Sequence, residues 1–212
     1  MNGGLELSFE LSLDQVSRTF GSRRALKPLT ASVSTGQVMV VTGPNGSGKS
    51  TLLKIVARLM RPTSGRVTWR SDGKELGIEA SRTLLGMVSP DLTLYDELTA
   101  IENLAFFSRV RGVAGTRASS ERILAELGLA GRGDDLVGAF SSGMKQRLKF
   151  AFALMHRPRL LLLDEPTSNL DEQGVLMVRG LIEAARNDTC IVIATNEPEE
   201  VLWGDFVIKL GT

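Results

Sequence analysis

Apolar runs, alternating stretches and three-to-four-residue periodicities succeed one another along this chain in an order that predicts a mixed α/β architecture. Between residues 5 and 41, short β-like runs alternate with turns, as at residues 16–20 before Gly21-Ser22 and at residues 29–33 before Gly36; this predicts a small, partly antiparallel sheet. The apolar run Val38-Met39-Val40-Val41 enters a glycine-rich segment, and residues 52–57 leave it as a helix that residues 61–65 terminate. Residues 66–69 predict a further strand before a polar turn at Ser71-Asp72-Gly73-Lys74. From about Leu98 to Met155 the periodicity is helical, with Ile101, Leu104, Ala105 and Phe107 on one face and Ile123, Leu124 and Leu127 on another. Glycine-rich breaks interrupt it at residues 112–115 and 128–138. Leu160-Leu161-Leu162-Leu163 runs without alternation between Pro158 and Pro166, as a parallel strand buried on both faces does. Trp203 and Phe206 are expected to pack a last strand at residues 206–210 against the core.

Composition narrows the class. With 212 residues, 42% of them hydrophobic and 23% charged, the chain is long enough to bury a full core as one domain or one domain with a subdomain. A net charge of +1 argues against an electrostatic grip on nucleic acid. The single cysteine, Cys190, lies in an apolar run, which reads as a small core residue in a reducing compartment and excludes an internal disulfide or a cysteine metal site. No run of eighteen apolar residues is present, and residues 1–6 have neither a basic n-region nor a hydrophobic h-region; the expectation is a chain that does not itself span a membrane.

Chemistry enters at Gly43, Pro44, Asn45, Gly46, Ser47, Gly48, Lys49, Ser50 and Thr51, which satisfy G-x-x-x-x-G-K-[ST] between a strand and a helix. Glycines let successive N–H groups turn inward toward phosphates at a helix N-terminus. Lys49 then reaches the β- and γ-phosphates, and the Ser50 hydroxyl is placed to ligate Mg²⁺. Asp164 and Glu165 end the apolar run at 160–163, so they are expected at the strand edge that carries the phosphate loop. Asp164 is expected to hold the Mg²⁺ shell and Glu165 to orient or activate the attacking water. Ser141 caps a helix whose expected buried face is Met144, Leu148, Ala151, Phe152 and Met155.

The segment Phe140-Ser141-Ser142-Gly143-Met144-Lys145-Gln146-Arg147-Leu148 resembles the signature motif of the ATP-binding cassette (ABC) proteins, and the resemblance extends in order over nearly the whole chain. Phe20 falls where that family places an aromatic that stacks on adenine; residues 43–51 match its phosphate loop, residues 160–165 its second phosphate-site strand, and Ser168-Asn169-Leu170-Asp171 the loop that follows. The resemblance implies a phosphate-loop NTPase core of parallel strands flanked by helices, with a small antiparallel β subdomain and a helical insert. The expected division is one domain over 5–212: core and β subdomain in 5–87 and 156–212, helical subdomain in 88–155. It further implies ATP and Mg²⁺ as ligands and a head-to-tail dimer. In that dimer Ser141, Ser142, Gly143, Met144 and Asp171 of one copy meet the nucleotide held by the other.

Two departures bear on mechanism. Where the family carries a coupling glutamine, the loop Ser89-Pro90-Asp91 puts Pro90, and Asp91 is the nearest polar replacement. Where the family carries a histidine on the γ-phosphate, this chain has Asn196, which donates a neutral hydrogen bond but shuttles no proton. Glu165 is therefore expected to be the main catalytic group, with Lys49 and Asn196 contacting phosphate, and turnover to be slow. His156 is expected to be structural or at the surface. The arginines at 109, 111, 117 and 122 are expected in a solvated loop.

The leading functional expectation is an ATPase subunit that powers an export complex, peripheral on the cytoplasmic face of the cell membrane. It docks there on separate transmembrane permease subunits and pairs with a second ABC subunit, a second copy of itself by expectation. The form Ser-Ser-Gly-Met-Lys-Gln-Arg-Leu is similar to ABC-2 exporter ATPases, and residues 97–104 resemble the haem-exporter ATPase of cytochrome c maturation. The competing classes are a soluble ABC switch acting in the assembly of another complex, and a phosphate-loop kinase, which leaves residues 141–146 and 168–171 unexplained.

Overall fold

The structure, a computed structural model, describes residues 8–113 and 115–211; residues 1–7, Ala114 and Thr212, which include the ends of the expected domain, lie outside the described residues. β1 (Phe9–Phe20) and β2 (Arg23–Ser34) form a hairpin over the Gly21-Ser22 turn. β1 is longer than the run at 16–20 suggests, because Gln15 takes a left-handed φ of 48° and the pairing shifts between Leu13 and Val16. Phe9, Leu11 and Leu13 are buried with odd spacing and Val16 with even, so the bulge splits one strand into two out-of-phase patterns.

β3 (Val38–Thr42) leads into α1 (Lys49–Val56), which stops before the predicted break because Arg58 turns left-handed at φ 60°. The Arg58 guanidinium then donates to Ser81 Oγ and Leu76 O and lies 4.9 Å over the Trp69 ring. β4 (Ser64–Ser71) and β5 (Lys74–Glu75) complete an antiparallel sheet in the order β2-β1-β4-β5. α2 (Ile78–Arg82) and β6 (Leu85–Val88) follow. Three helices, α3 (Ala100–Arg111), α4 (Arg117–Glu126) and α5 (Ser142–Leu154), intervene before β7 (Leu160–Asp164). The chain then runs through α6 (Glu172–Ala185), β8 (Cys190–Thr195), α7 (Pro198–Val201) and β9 (Phe206–Lys209). The second sheet is parallel throughout, in the order β6-β7-β8-β3-β9.

The parallel sheet separates two cores by simple alternation. Leu160, Leu162, Met39, Val41 and Val192 pack with α1 and the antiparallel sheet, while Leu161, Leu163, Val40 and Ile193 pack with α3 to α6. Each fully buried aliphatic side chain contributes about 2 kcal/mol of transfer free energy. Alternation also sets the site, because Asp164 continues the even series and therefore faces α1. Cys190 is buried in the same layer, as a small core residue should be, and burial pushes its thiol pKa up.

Two expectations about the helices are corrected. The face of α5 is not a single stripe, because Gln146, Phe150 and Ala153 are buried along with Leu148, Ala151 and Phe152; the helix is enclosed by β6, α3 and α4. Arg111 is not solvated. It lies 4.7 Å over the Phe152 ring, donates to Leu85 O at 2.7 Å and meets His156 Nε2 at 3.1 Å. None of these three partners is near it in sequence. Desolvation, then the Arg111 charge, lowers the His156 pKa to about 4. Arg117 remains at the surface, paired with Glu121 and Asp134. No described helix is long and apolar enough to cross a membrane.

Candidate nucleotide-binding site

The loop from β3 to α1 closes on itself through glycines that no other residue replaces without strain. Gly48, at φ 103°, starts α1, and a Cβ there would sit 2.3 Å from Ala25 O; at Gly43 one would sit 2.4 Å from Leu210 O. Both backbones are pressed against neighbouring carbonyls, which leaves the helix N-terminus open toward the cleft. Thr51 lines that cleft together with Phe20, Asn45, Lys49, Ser50 and Glu165, around a volume of about 430 Å³. Phe20 is 44% exposed there, with the Arg18 guanidinium 4.5 Å from its ring centroid. An exposed aromatic at a cleft is free to stack; a core phenylalanine is not.

Strand order assembles the rest. β8 lies between β7 and β3, so the residue leaving β8 stands between Glu165 and the phosphate loop. That residue is Asn196. Its Oδ1 accepts from Lys49 Nζ at 2.5 Å, and its Nδ2 donates to Asn45 Oδ1 at 2.6 Å and to Glu165 Oε1 at 3.2 Å. Lys49 is 6% exposed and also donates to Gly43 O at 2.8 Å and Pro44 O at 3.5 Å. Its ammonium is held by neutral oxygens alone, a ready exchange for phosphate oxygens.

Asp164 is 3% exposed, and its Oδ1 is buried without a hydrogen-bond partner among the described residues. Burial pushes its carboxyl pKa up, against the pull of a hydrogen bond from Ser50 and the charge of Lys49. An orphaned carboxylate oxygen beside a hydroxyl is a hard, all-oxygen donor pair of the kind Mg²⁺ takes, so the residues present fit that ion. Glu165 follows at a left-handed φ of 50°, its amide tied to Ala194 O at 2.8 Å.

The signature residues stand elsewhere. Ser141 Oγ accepts from the Met144 amide at 3.2 Å and caps α5, with Ser142 exposed beside it and Gly143 and Met144 half-buried behind. None of the four lines the cleft. Asp171 caps α6 by accepting from Gly174 N at 2.8 Å, and Arg147 reaches it at 3.3 Å. The loop at Ser89-Pro90-Asp91 is tied from two sides. Lys54 of α1 pairs with Asp91 at 2.7 Å, and Lys149 of α5 donates to Ser89 O and Pro90 O at 3.2 Å each. The hydrogen bond from Lys54 holds the Asp91 carboxyl below its usual pKa.

Sequence reasoning missed several buried polar groups. Asn103, on α3, accepts from Tyr95 N and donates to Tyr95 O and Thr99 O, pinning the loop ahead of the helix. Gln146 donates to Pro166 O at 2.9 Å from within α5. In sequence each is one polar residue in an amphipathic helix, and only the all-round burial of these positions marks it.

Three comparisons bear on this arrangement. The family described as "ABC transporter" matches residues 26–168. An uncharacterized ABC transporter ATP-binding protein of Bacillus subtilis, YdbJ, is 34% identical over 90% of this chain and 62% of its own length. The cytochrome c biogenesis ATP-binding export protein of Photobacterium profundum, CcmA, is 33% identical over 95% of this chain and 99% of its own. Relatives named for daunorubicin resistance, lantibiotic transport and lipoprotein release fall at 32–36% identity. The chain spans only 53–62% of the length of three of the curated relatives it matches. Among solved structures, a dimeric ATP-binding cassette in a post-hydrolysis state, bound to ADP and phosphate, superposes with a TM-score of 0.82 at 25% identity. That superposition covers 94% of each chain.

Proposed function

The chain belongs to the ABC transporter family, and from that premise we propose that it is the ATP-binding and ATP-hydrolysing subunit of a membrane exporter. The observation that carries the proposal is the convergence of Lys49, Asp164, Glu165 and Asn196 at one edge of the parallel sheet, around a glycine-built helix N-terminus. Phe20 stacks on the base, the amides of residues 43–51 and Lys49 hold the phosphates, and Glu165 orients and activates the attacking water. Ser50 and Asp164 would hold Mg²⁺, which would supply charge neutralisation to the phosphates. Asn196 positions Glu165 and Lys49 but shuttles no proton, so activation of water falls to Glu165 and turnover is slow.

Two copies act head to tail, each closing the other's cleft with Ser141, Ser142, Gly143 and Met144, and with Asp171. Support comes from the exposed serines at the α5 N-terminus and from the dimeric relative. The helical unit 88–155 moves against the core as nucleotide is bound and lost, and the loop at residues 89–91, tied to both by Lys54 and Lys149, relays that movement to permease subunits on the cytoplasmic face of the membrane.

Within exporters, the reading is the cytochrome c biogenesis type, supported by residues 97–104 and the likeness to CcmA; resistance, lantibiotic and lipoprotein exporters are its competitors. The test is twofold. Phosphate release from ATP and Mg²⁺ by the full chain is expected, and a phosphorylated acceptor in its place would make it a kinase. Copurification from membranes is expected to bring down an integral subunit that names the cargo, and its absence would favour a soluble switch.

A further inference from the structure

Behind the cleft lies a buried acid that the chemistry above does not use. Glu200, on α7, is 2% exposed. Its Oε1 accepts from the Thr167 amide at 3.2 Å and from the Thr167 hydroxyl, and the Thr195 side chain also bonds it. Its Oε2 is buried with no partner among the described residues. The charge acting on it is another acid, Glu197, and burial pushes its carboxyl pKa up. The bonds from Thr167 pull the other way, toward the charged form.

What Glu200 touches gives it a place in the site. Thr167 lies two residues past Glu165, and between them Pro166 O accepts from Gln146 of α5 at 2.9 Å. The turn after Glu165 is thus held from α5 on one side and from α7 on the other. Glu165 needs such holding, since a non-glycine residue at φ 50° sits in a sparsely populated conformation that persists only where its surroundings over-determine it. Glu200 also lies four residues past Asn196, whose amide meets the Glu165 carboxylate. It therefore ties together the two loops that carry the paired groups.

We propose that Glu200 is a positioning residue for hydrolysis: through Thr167 it fixes the turn that holds Glu165 in its left-handed conformation, within reach of Asn196. The inference rests on the reading of Glu165 as the group that activates water.

The test compares the full chain with Glu200→Gln, Glu200→Ala and Thr167→Val, reading kcat and KM for ATP, the melting temperature, and exchange of the Thr167 amide by NMR. Glu200→Ala and Thr167→Val are expected to lower kcat roughly tenfold to a hundredfold with KM within about twofold, as a misplaced catalytic group does. A variant combining Glu200→Ala with Thr167→Val is expected to be no slower than the slower of the two alone. Glu200→Gln, which keeps an acceptor oxygen for Thr167, is expected to recover most of the rate. Exchange at Thr167 is expected to quicken about tenfold in Glu200→Ala and not in Glu200→Gln, as loss of one hydrogen bond predicts. A folded Glu200→Ala with unchanged kcat would overturn the proposal. So would kcat, KM and melting temperature failing together in both Glu200→Ala and Thr167→Val, since that is plain destabilisation. A wild type that hydrolyses nothing would instead sink the ATPase reading; the Thr167 exchange would still decide whether Glu200 holds the turn.

Discussion

At the phosphate loop, Lys49 is buried and its ammonium already meets three oxygens of its own chain; at the start of α5, Ser141 and Ser142 stand exposed, and the Ser141 hydroxyl reaches no further than the Met144 amide. Both are helix N-termini, the first entered through Gly48 and the second through Ser141, and both present amides suited to an anion. They differ in what surrounds them. Around the first, strand order brings Asp164, Glu165 and Asn196 to one edge, so a single chain builds a grip with its own reacting groups. Around the second, Asp96, Lys145 and Asn169 line a separate hollow with Ser142, and no residue of the cleft is among those lining it. On the proposed reading, burial marks where the chain completes its own site, and exposure where a second copy completes it.

The largest effect should come from breaking the completed half. Lys49→Ala removes the cation at the centre of the Asn196 contacts, and hydrolysis should fall by about 10²- to 10³-fold with weakened nucleotide binding. ATP turnover and equilibrium binding check both. At the open half, Ser141→Ala should lower turnover roughly tenfold, as loss of one donor to the phosphates, while nucleotide affinity of the isolated chain stays unchanged. A parallel loss of affinity would place Ser141 in its own chain's cleft and erase the contrast.

Asn196 probes how the completed half is wired. Asn196→Ala should slow hydrolysis several-fold, less than Lys49→Ala, because Glu165 keeps its backbone ties; Asn196→His should raise the rate. An unchanged rate in Asn196→Ala would remove Asn196 from the reaction. The smallest effect concerns α5 itself, open at its N-terminus and locked near its C-terminus by Arg111 and His156. A free imidazole titrates near 6.5 and His156 near 4, so between these values the unfolded chain binds more protons and stability falls as the pH drops through that window. Melting curves at pH 7 and pH 5 should show this loss, and His156→Gln should reduce it without touching turnover at neutral pH.

Legibility followed the same division. The phosphate loop and the strand at 160–163 were plain in the sequence because their chemistry is local: glycines needed for backbone shape, and apolar side chains with no polar face to alternate. That Asn196 touches Lys49 was not legible, since it depends on β8 lying between β7 and β3. Arg111 read as one of a solvated cluster, because the ring and the carbonyl that receive it lie 41 residues downstream and 26 upstream. Nothing in the sequence singles out Glu200, and only the partners brought to it by the fold make it a buried acid. β1 was read short because the Gln15 bulge breaks its alternation.

The account turns on a nucleotide gripped by Lys49 of one copy and Ser141 of another. The most direct measurement is the mass in solution, by sedimentation, of a Glu165→Gln variant with ATP and Mg²⁺, with and without Ser141→Ala. The account predicts a dimer that forms with ATP, dissociates when ATP is replaced by ADP, and is weakened by Ser141→Ala. A single copy at every ATP concentration, or a dimer indifferent to Ser141, would contradict it.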